Sequence, residues 1–170
     1  MTKKHIRLGI RLILLLLIVA NLLMIFHFSH QSSDTSDQTS GRVTHAIANL
    51  FVKDFEDKTE TEQNELLDRI HPIIRKLAHM TEFGMLGALI FLFLLTWENN
   101  LTLQYADALL LVLTTASIDE YSQTFSEGRA AQLADVGIDC FGALLCCSFI
   151  LLIVCCIHRK RKNNTERKSL

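Results

Sequence analysis

Residues 118–135 read Ile-Asp-Glu-Tyr-Ser-Gln-Thr-Phe-Ser-Glu-Gly-Arg-Ala-Ala-Gln-Leu-Ala-Asp and join two long apolar runs. The stretch is too polar for hydrocarbon and too short for a domain. Asp119, Glu120, Gln123, Arg129 and Asp135 therefore belong to a connection between two membrane helices, where a charge is costly unless it is paired, hydrated or put to use.

The whole chain fits that reading. At 170 residues and 49% hydrophobic it would suit one globular domain on length alone, but the apolar residues are gathered into blocks. Each block matches the roughly 20 residues a helix needs to cross a bilayer. Working back from the connection, a membrane helix spans about residues 101–123, and the turn Glu98-Asn99-Asn100 before it forces an antiparallel neighbour at about 77–97. Trp97 marks an interface, where aromatic rings prefer to sit. Working forward, a helix over about 135–157 ends in His158-Arg-Lys-Arg-Lys162, the start of a basic tail at 158–170. A first helix over 8–28 follows Lys3, Lys4 and Arg7 and ends in Met-Ile-Phe-His-Phe, without the short core and small-residue exit of a cleavable signal. Asn21 within it is expected to hydrogen-bond another helix.

The predicted fold is all-α, an integral membrane four-helix bundle forming a single domain over 1–170. Both termini are expected in the cytoplasm, because basic residues crowd both ends. Residues 29–76 then lie outside. Their Ser-, Thr-, Asp- and Gln-rich start cannot build a core. Val43, Ile47, Leu50, Phe51 and Phe55 recur at helical spacing, as do Leu66, Leu67, Ile70, Ile73, Ile74 and Leu77, so short amphipathic surface helices are expected between the first and second membrane helices. Thr59 and Glu62 have the spacing of a capping box. Pro72 is expected to kink the second amphipathic run where it enters the membrane. Gly84 and Ala88 would allow close helix approach.

The five cysteines, Cys140, Cys146, Cys147, Cys155 and Cys156, all fall in the last apolar block and form no zinc or disulfide pattern. They read as small apolar packing groups. Acylation of Cys155 and Cys156 beside the basic tail is the alternative. The partner these features imply is the lipid bilayer, with no nucleic acid.

Arg75, His79 and Glu82 share one face of the second membrane helix, while Asp119 and Gln123 share a face of the third. The topology brings both faces and the 118–135 connection to the outer surface. Arg75, Lys76 and Arg129 suit a phosphate. His79 beside a carboxylate suits proton transfer. Glu82, Asp119 and Glu120 offer hard oxygen ligands to a divalent cation, the one cofactor these residues suggest. Alternatively, pairs such as Arg129 with Asp135 or Arg75 with Glu82 only pin the helices together.

Three spaced pieces resemble the VanZ-like family of small bacterial membrane proteins: Phe28-Ser-His-Gln31, Arg75-Lys-Leu-Ala-His-Met-Thr-Glu-Phe83 and Asp119-Glu-Tyr-Ser-Gln-Thr-Phe125. Gly128-Arg129, Asp135 and Gly142-Ala143 complete the order. The chain departs from the usual pattern at Phe83, Glu127, Asp139 and Cys146, where the family more often has Tyr, Pro, Asn and Gly. The family takes its name from a protein linked to low-level teicoplanin-type glycopeptide resistance. The resemblance therefore implies a place in the bacterial cytoplasmic membrane and a role at the cell envelope, without supplying a reaction. Under an enzymatic reading acting on a lipid-linked, phosphate-containing substrate, His79, Glu82, Asp119 and Glu120 are the catalytic candidates. Arg75, Lys76, Gln123, Arg129, Asp135, Ser29 and Gln31 are the substrate-binding candidates. A non-enzymatic scaffold for an envelope partner and a small transporter are the rival classes. Transport would favour polar residues through the full depth of the bundle, and the far half offers little beyond Asp107 and Gln104.

Overall fold

The computed structural model describes residues 3–29, 33–125 and 132–168. They form five helices in chain order: α1 (Lys3–Ser29), α2 (Ser33–Phe51), α3 (Glu60–Leu94), α4 (Leu101–Gln123) and α5 (Leu133–Lys168). All except α2 are long and apolar enough to cross a membrane. In hydrocarbon a helix satisfies its own backbone hydrogen bonds, so uninterrupted apolar runs settle into this form. Side-chain hydroxyls on the outer face of α4 follow the same logic. Thr114, Thr115 and Ser117 donate to the carbonyls of Leu110, Leu111 and Leu113, at 2.8, 2.9 and 2.8 Å. Large apolar side chains such as Leu16, Leu23, Leu110 and Phe149 point outward, as they would toward lipid.

The helix α3 is the organising element, packing against each of the other four. The core lies along it, with Phe83, Leu86, Ile90 and Phe91 buried against Ile25 of α1, Val112 and Ala116 of α4, and Ala143 and Cys147 of α5. At the end holding the start of α1, Arg11 stacks its guanidinium 3.8 Å from the centre of the Trp97 ring and donates to Thr96. Arg7 pairs with Glu98 at 2.8 Å. The α3–α4 turn is closed by Asn100, whose side chain caps α4 by accepting from the backbone N–H groups of Thr102 and Leu103. Gln104 donates to the carbonyls of Leu94, at the end of α3, and Trp97, in the turn, which ties the start of α4 to that turn.

Several expectations need correction. The second amphipathic run is not a separate surface helix. It is the first half of the 35-residue α3, which continues through Pro72 and starts at the expected capping box, with the Thr59 hydroxyl accepting from the Glu62 N–H and the Glu62 carboxylate accepting from the Thr59 N–H. Only α2 stands alone, and it begins at Ser33, inside the stretch expected to have no core of its own. The buried face of α2 carries Thr44 and Ala48, while Leu50 and Phe51 are exposed. The basic tail is helical to Lys168, as a continuation of α5. Asn21 is buried, but neither its amide nitrogen nor its oxygen has a partner among the described residues.

The close approach expected of Gly84 is present, and Gly87 shares in it. A Cβ built on Gly87 would lie 2.9 Å from the Ala143 Cβ, and one on Gly84 would lie 3.1 Å from the Cys146 Sγ. The tightest point is Gly142, where a Cβ would stand 2.1 Å from the Met80 carbonyl oxygen. These pairs advance together along the chain, so α3 and α5 run parallel. Small side chains let them meet without hydrophobic drive, as membrane helices require.

Candidate functional site

Near the Ser29 end of α1, α3 and α5 diverge and a polar cavity of about 330 Å³ opens between them. On α3, His71, Arg75 and His79 follow one another at steps of four and so line one face, with Lys76 beside them. Across the cavity, α5 presents Asp135 and Asp139, again four apart, and Gln132 precedes them. The end of α4 closes the cavity with Glu120 and Gln123. One wall is rich in nitrogen donors and the other in carboxylates.

The two walls are joined at one level. The Lys76 Nζ donates to the Asp135 Oδ1 at 2.8 Å, with both side chains partly accessible. Asp135 is thus bonded to Lys76, and the alternative pair of Arg129 with Asp135 lies outside the described residues. Behind the cavity lies a drier set. The Ser29 hydroxyl donates to the Asp119 Oδ2 at 2.7 Å, and the Gln123 Nε2 donates to the same oxygen at 3.0 Å. These bonds tie the last residue of α1 to the last turn of α4. Asp119 is 1% exposed, and its second oxygen has no hydrogen-bond partner among the described residues. Glu120 turns toward the start of α5, where its Oε1 accepts the backbone N–H of Gln132.

His79 and Glu82 do share a face, with His79 Nδ1 and Glu82 Oε2 3.9 Å apart. They look into different spaces. His79 lines the polar cavity, whereas Glu82 borders an apolar groove formed with Met24, Ile47, Ile74, Leu77 and Met85. Glu82 also lies within electrostatic range of Asp119. The structure therefore brings together Arg75, Lys76, His79, Glu120, Gln123 and Asp135 around one cavity, with Ser29 and Asp119 behind it and Glu82 at its edge. Gln31 and Arg129 lie outside the described residues. No group of three or more His, Cys, Asp or Glu side chains among the described residues is arranged to hold a metal ion.

Sequence reasoning missed His71, Gln132 and Asp139 as site residues. The signal for two of them was present, since His71 extends the Arg75–His79 spacing back by four and Asp139 extends Asp135 forward by four. Asp139 is 4% exposed, and its Oδ1 has no hydrogen-bond partner among the described residues. It lies within electrostatic range of Asp119, Asp135, Glu120 and Glu82.

Such an arrangement can cradle a polar group of modest size at the end of a membrane bundle. Arginine and lysine suit an anion, a histidine can move a proton, and carboxylates can accept from donors. No curated protein and no solved structure matches this chain. The VanZ/LLP1 family model matches residues 12–155, a stretch that contains every residue lining the cavity. The chain belongs to the VanZ/LLP1 family.

Proposed function

We propose that the cavity binds the phosphate-bearing head of an envelope lipid or lipid-linked precursor at the outer face of the bacterial cytoplasmic membrane, and that the protein thereby alters susceptibility to teicoplanin-type glycopeptides. The observation that carries this reading is the polar cavity itself, with Arg75, Lys76 and two histidines on one wall at the end of an apolar bundle. The positions of the basic residues support the orientation. Arg7 and Arg11 dock at the opposite end from the cavity, and the basic end of α5 is on that side too, so the positive-inside rule puts the cavity outside. Arg75 and Lys76 hold the phosphate, and His79 is the group placed to move a proton on a bound substrate.

The test pairs a cell phenotype with a binding measurement. Alanine replacing His79, Glu82, Asp119 or Arg129 is expected to shift teicoplanin or lipoglycopeptide susceptibility of an expressing strain toward that of the empty-vector strain at equal protein level. Native mass spectrometry of the purified protein is expected to show a co-purifying lipid that Asp119→Asn loses. Unchanged susceptibility in all four variants would sink the shared-site reading.

A second reading, a non-enzymatic scaffold for an envelope partner, is favoured by one set of contacts. The Lys76–Asp135 pair and the Ser29–Asp119–Gln123 bonds join four helices at one end, as a fixed platform would need.

A further inference from the structure

We propose that Asp139 accepts an ammonium group of the ligand, so that the cavity takes a zwitterionic head whose anionic end lies at Arg75 and Lys76. The inference rests on the lipid-binding reading above and narrows its ligand class to heads of the phosphoethanolamine type.

Asp139 differs from the other carboxylates of the cavity. Asp135 is bonded to Lys76, and Glu120 accepts a backbone N–H. Asp139 is the most enclosed member of its wall, lines the cavity, and keeps an oxygen with no hydrogen-bond partner among the described residues. A buried carboxylate left without a partner is strongly unfavourable, so the group calls for a cation or donor brought in from outside. An amine supplies both. It offers three N–H donors and a compensating charge in one small group.

The opposite wall sets the other end of the ligand. Lys76 and Asp135 mark the level where the two walls touch, and Asp139 lies one helical turn further along α5. Because α3 and α5 run parallel, His79 stands at about the level of Asp139, and Arg75 at about the level of Asp135. A head that places its phosphate beside Arg75 and Lys76 must therefore reach about one turn, roughly 5.4 Å, to present its cation to Asp139. The two-carbon linker of phosphoethanolamine has about that reach. A head that is only anionic would fill the Arg75 end and bring no cation to Asp139.

The experiment uses the full-length protein in detergent and native mass spectrometry with phosphatidylethanolamine and phosphatidylglycerol offered together. With matched chains these lipids share the phosphate and differ in the head alcohol, a cationic ethanolamine against a neutral glycerol. The expected result is retention of phosphatidylethanolamine over phosphatidylglycerol by about tenfold, equivalent to about 1.4 kcal/mol. Asp139→Asn, which keeps shape and removes charge, is expected to bring the ratio close to one, and Asp139→Glu to keep the preference. Glycerophosphoethanolamine, run alone, separates a free head from an intact lipid: an adduct that Asp139→Asn abolishes supports the same ammonium contact without chains. A ratio near one in the wild type, or an unchanged ratio in Asp139→Asn, overturns the proposal while leaving a phosphate site standing. Failure of the wild type to retain either lipid or the free head overturns the lipid reading and this inference with it. Circular dichroism melting of both variants verifies that a changed ratio comes from folded protein.

Discussion

Between Gly84 and Gly87 on α3 and Gly142 and Ala143 on α5 the two helices meet almost backbone to backbone, whereas nearer their N-termini Lys76 and Asp135 span the gap with their side chains beside a cavity of about 330 Å³. The same pair of helices is closed at one level and open at the other. At the closed level, contact depends on the absence of side chains, and any added atom has nowhere to go. At the open level, the side chains present are charged, and some of their polar capacity is left unused. The closed seam is thus a clamp that fixes how far the helices can spread where the cavity opens. The seam is where added volume should cost stability, and the cavity is where the proposed ligand would sit.

The largest effect that would break this division comes from Gly142. Its added Cβ would stand 2.1 Å from the Met80 carbonyl oxygen, an atom of backbone that cannot rotate away. Overpacking a tight interior costs about 1–3 kcal/mol and occasionally more. Gly142→Ala is expected to fall at or above the top of that range, and Gly142→Leu to yield no folded, monodisperse protein by size-exclusion chromatography. If Gly142→Ala melted at the wild-type temperature, α3 and α5 would have to be further apart than this seam requires.

The next effect concerns the buried bonds behind the cavity. Asp119→Ala removes the acceptor shared by Ser29 and Gln123 and leaves Gln123 its longer 3.5 Å bond to the Ser29 hydroxyl. Losing the charged acceptor of two buried bonds costs about 1–3 kcal/mol, so thermal unfolding in detergent should show a clear loss. Asp119→Asn keeps an oxygen for Ser29 and should lose less. Equal losses for Ala and Asn would mean that the charge, not the hydrogen bonds, ties α1 to α4.

The two regions were not equally legible in the sequence. The four spanning helices could be read because hydrocarbon imposes one length and one composition on anything that crosses it. The Thr59–Glu62 capping box and the polar face of Arg75, His79 and Glu82 were likewise local patterns, visible within one or two turns. Pairings across helices were not. Nothing local points Asp135 to Lys76, 59 residues away in the chain; the parallel course of α3 and α5 brings the two together. The close approach of Gly84 follows from its small size, but the part Gly87 takes in the seam does not, because the face that meets α5 is set by where Gly142 and Ala143 stand. Asp139 repeats Asp135 one turn on, a spacing visible in the sequence, but an acid inside an apolar run announces a cost without saying which cavity it faces. Only the arrangement of three helices answers that.

The smallest expected change in stability is also the one that separates the binding reading from the scaffold reading. The Lys76–Asp135 pair is geometrically close, yet the Lys76 side chain is 45% exposed and the Asp135 side chain 28%. Accessible pairs of this kind contribute about 0–1 kcal/mol, because water and salt screen them. Lys76→Ala should therefore leave the melting temperature nearly unchanged while lowering retention of a phosphate-bearing lipid in native mass spectrometry. The reversed pair, Lys76→Asp with Asp135→Lys, restores an attraction of the same kind but moves the positive charge to the carboxylate wall. A scaffold held by that attraction should regain its function in the double variant. A cavity that binds phosphate between Arg75 and Lys76 should not, because the cation would now stand on α5 and a new carboxylate would stand beside Arg75. Susceptibility restored by the swap, with retention of lipid still low, would favour the scaffold. Susceptibility that stays at the single-variant level while the protein melts normally would assign Lys76 to the ligand.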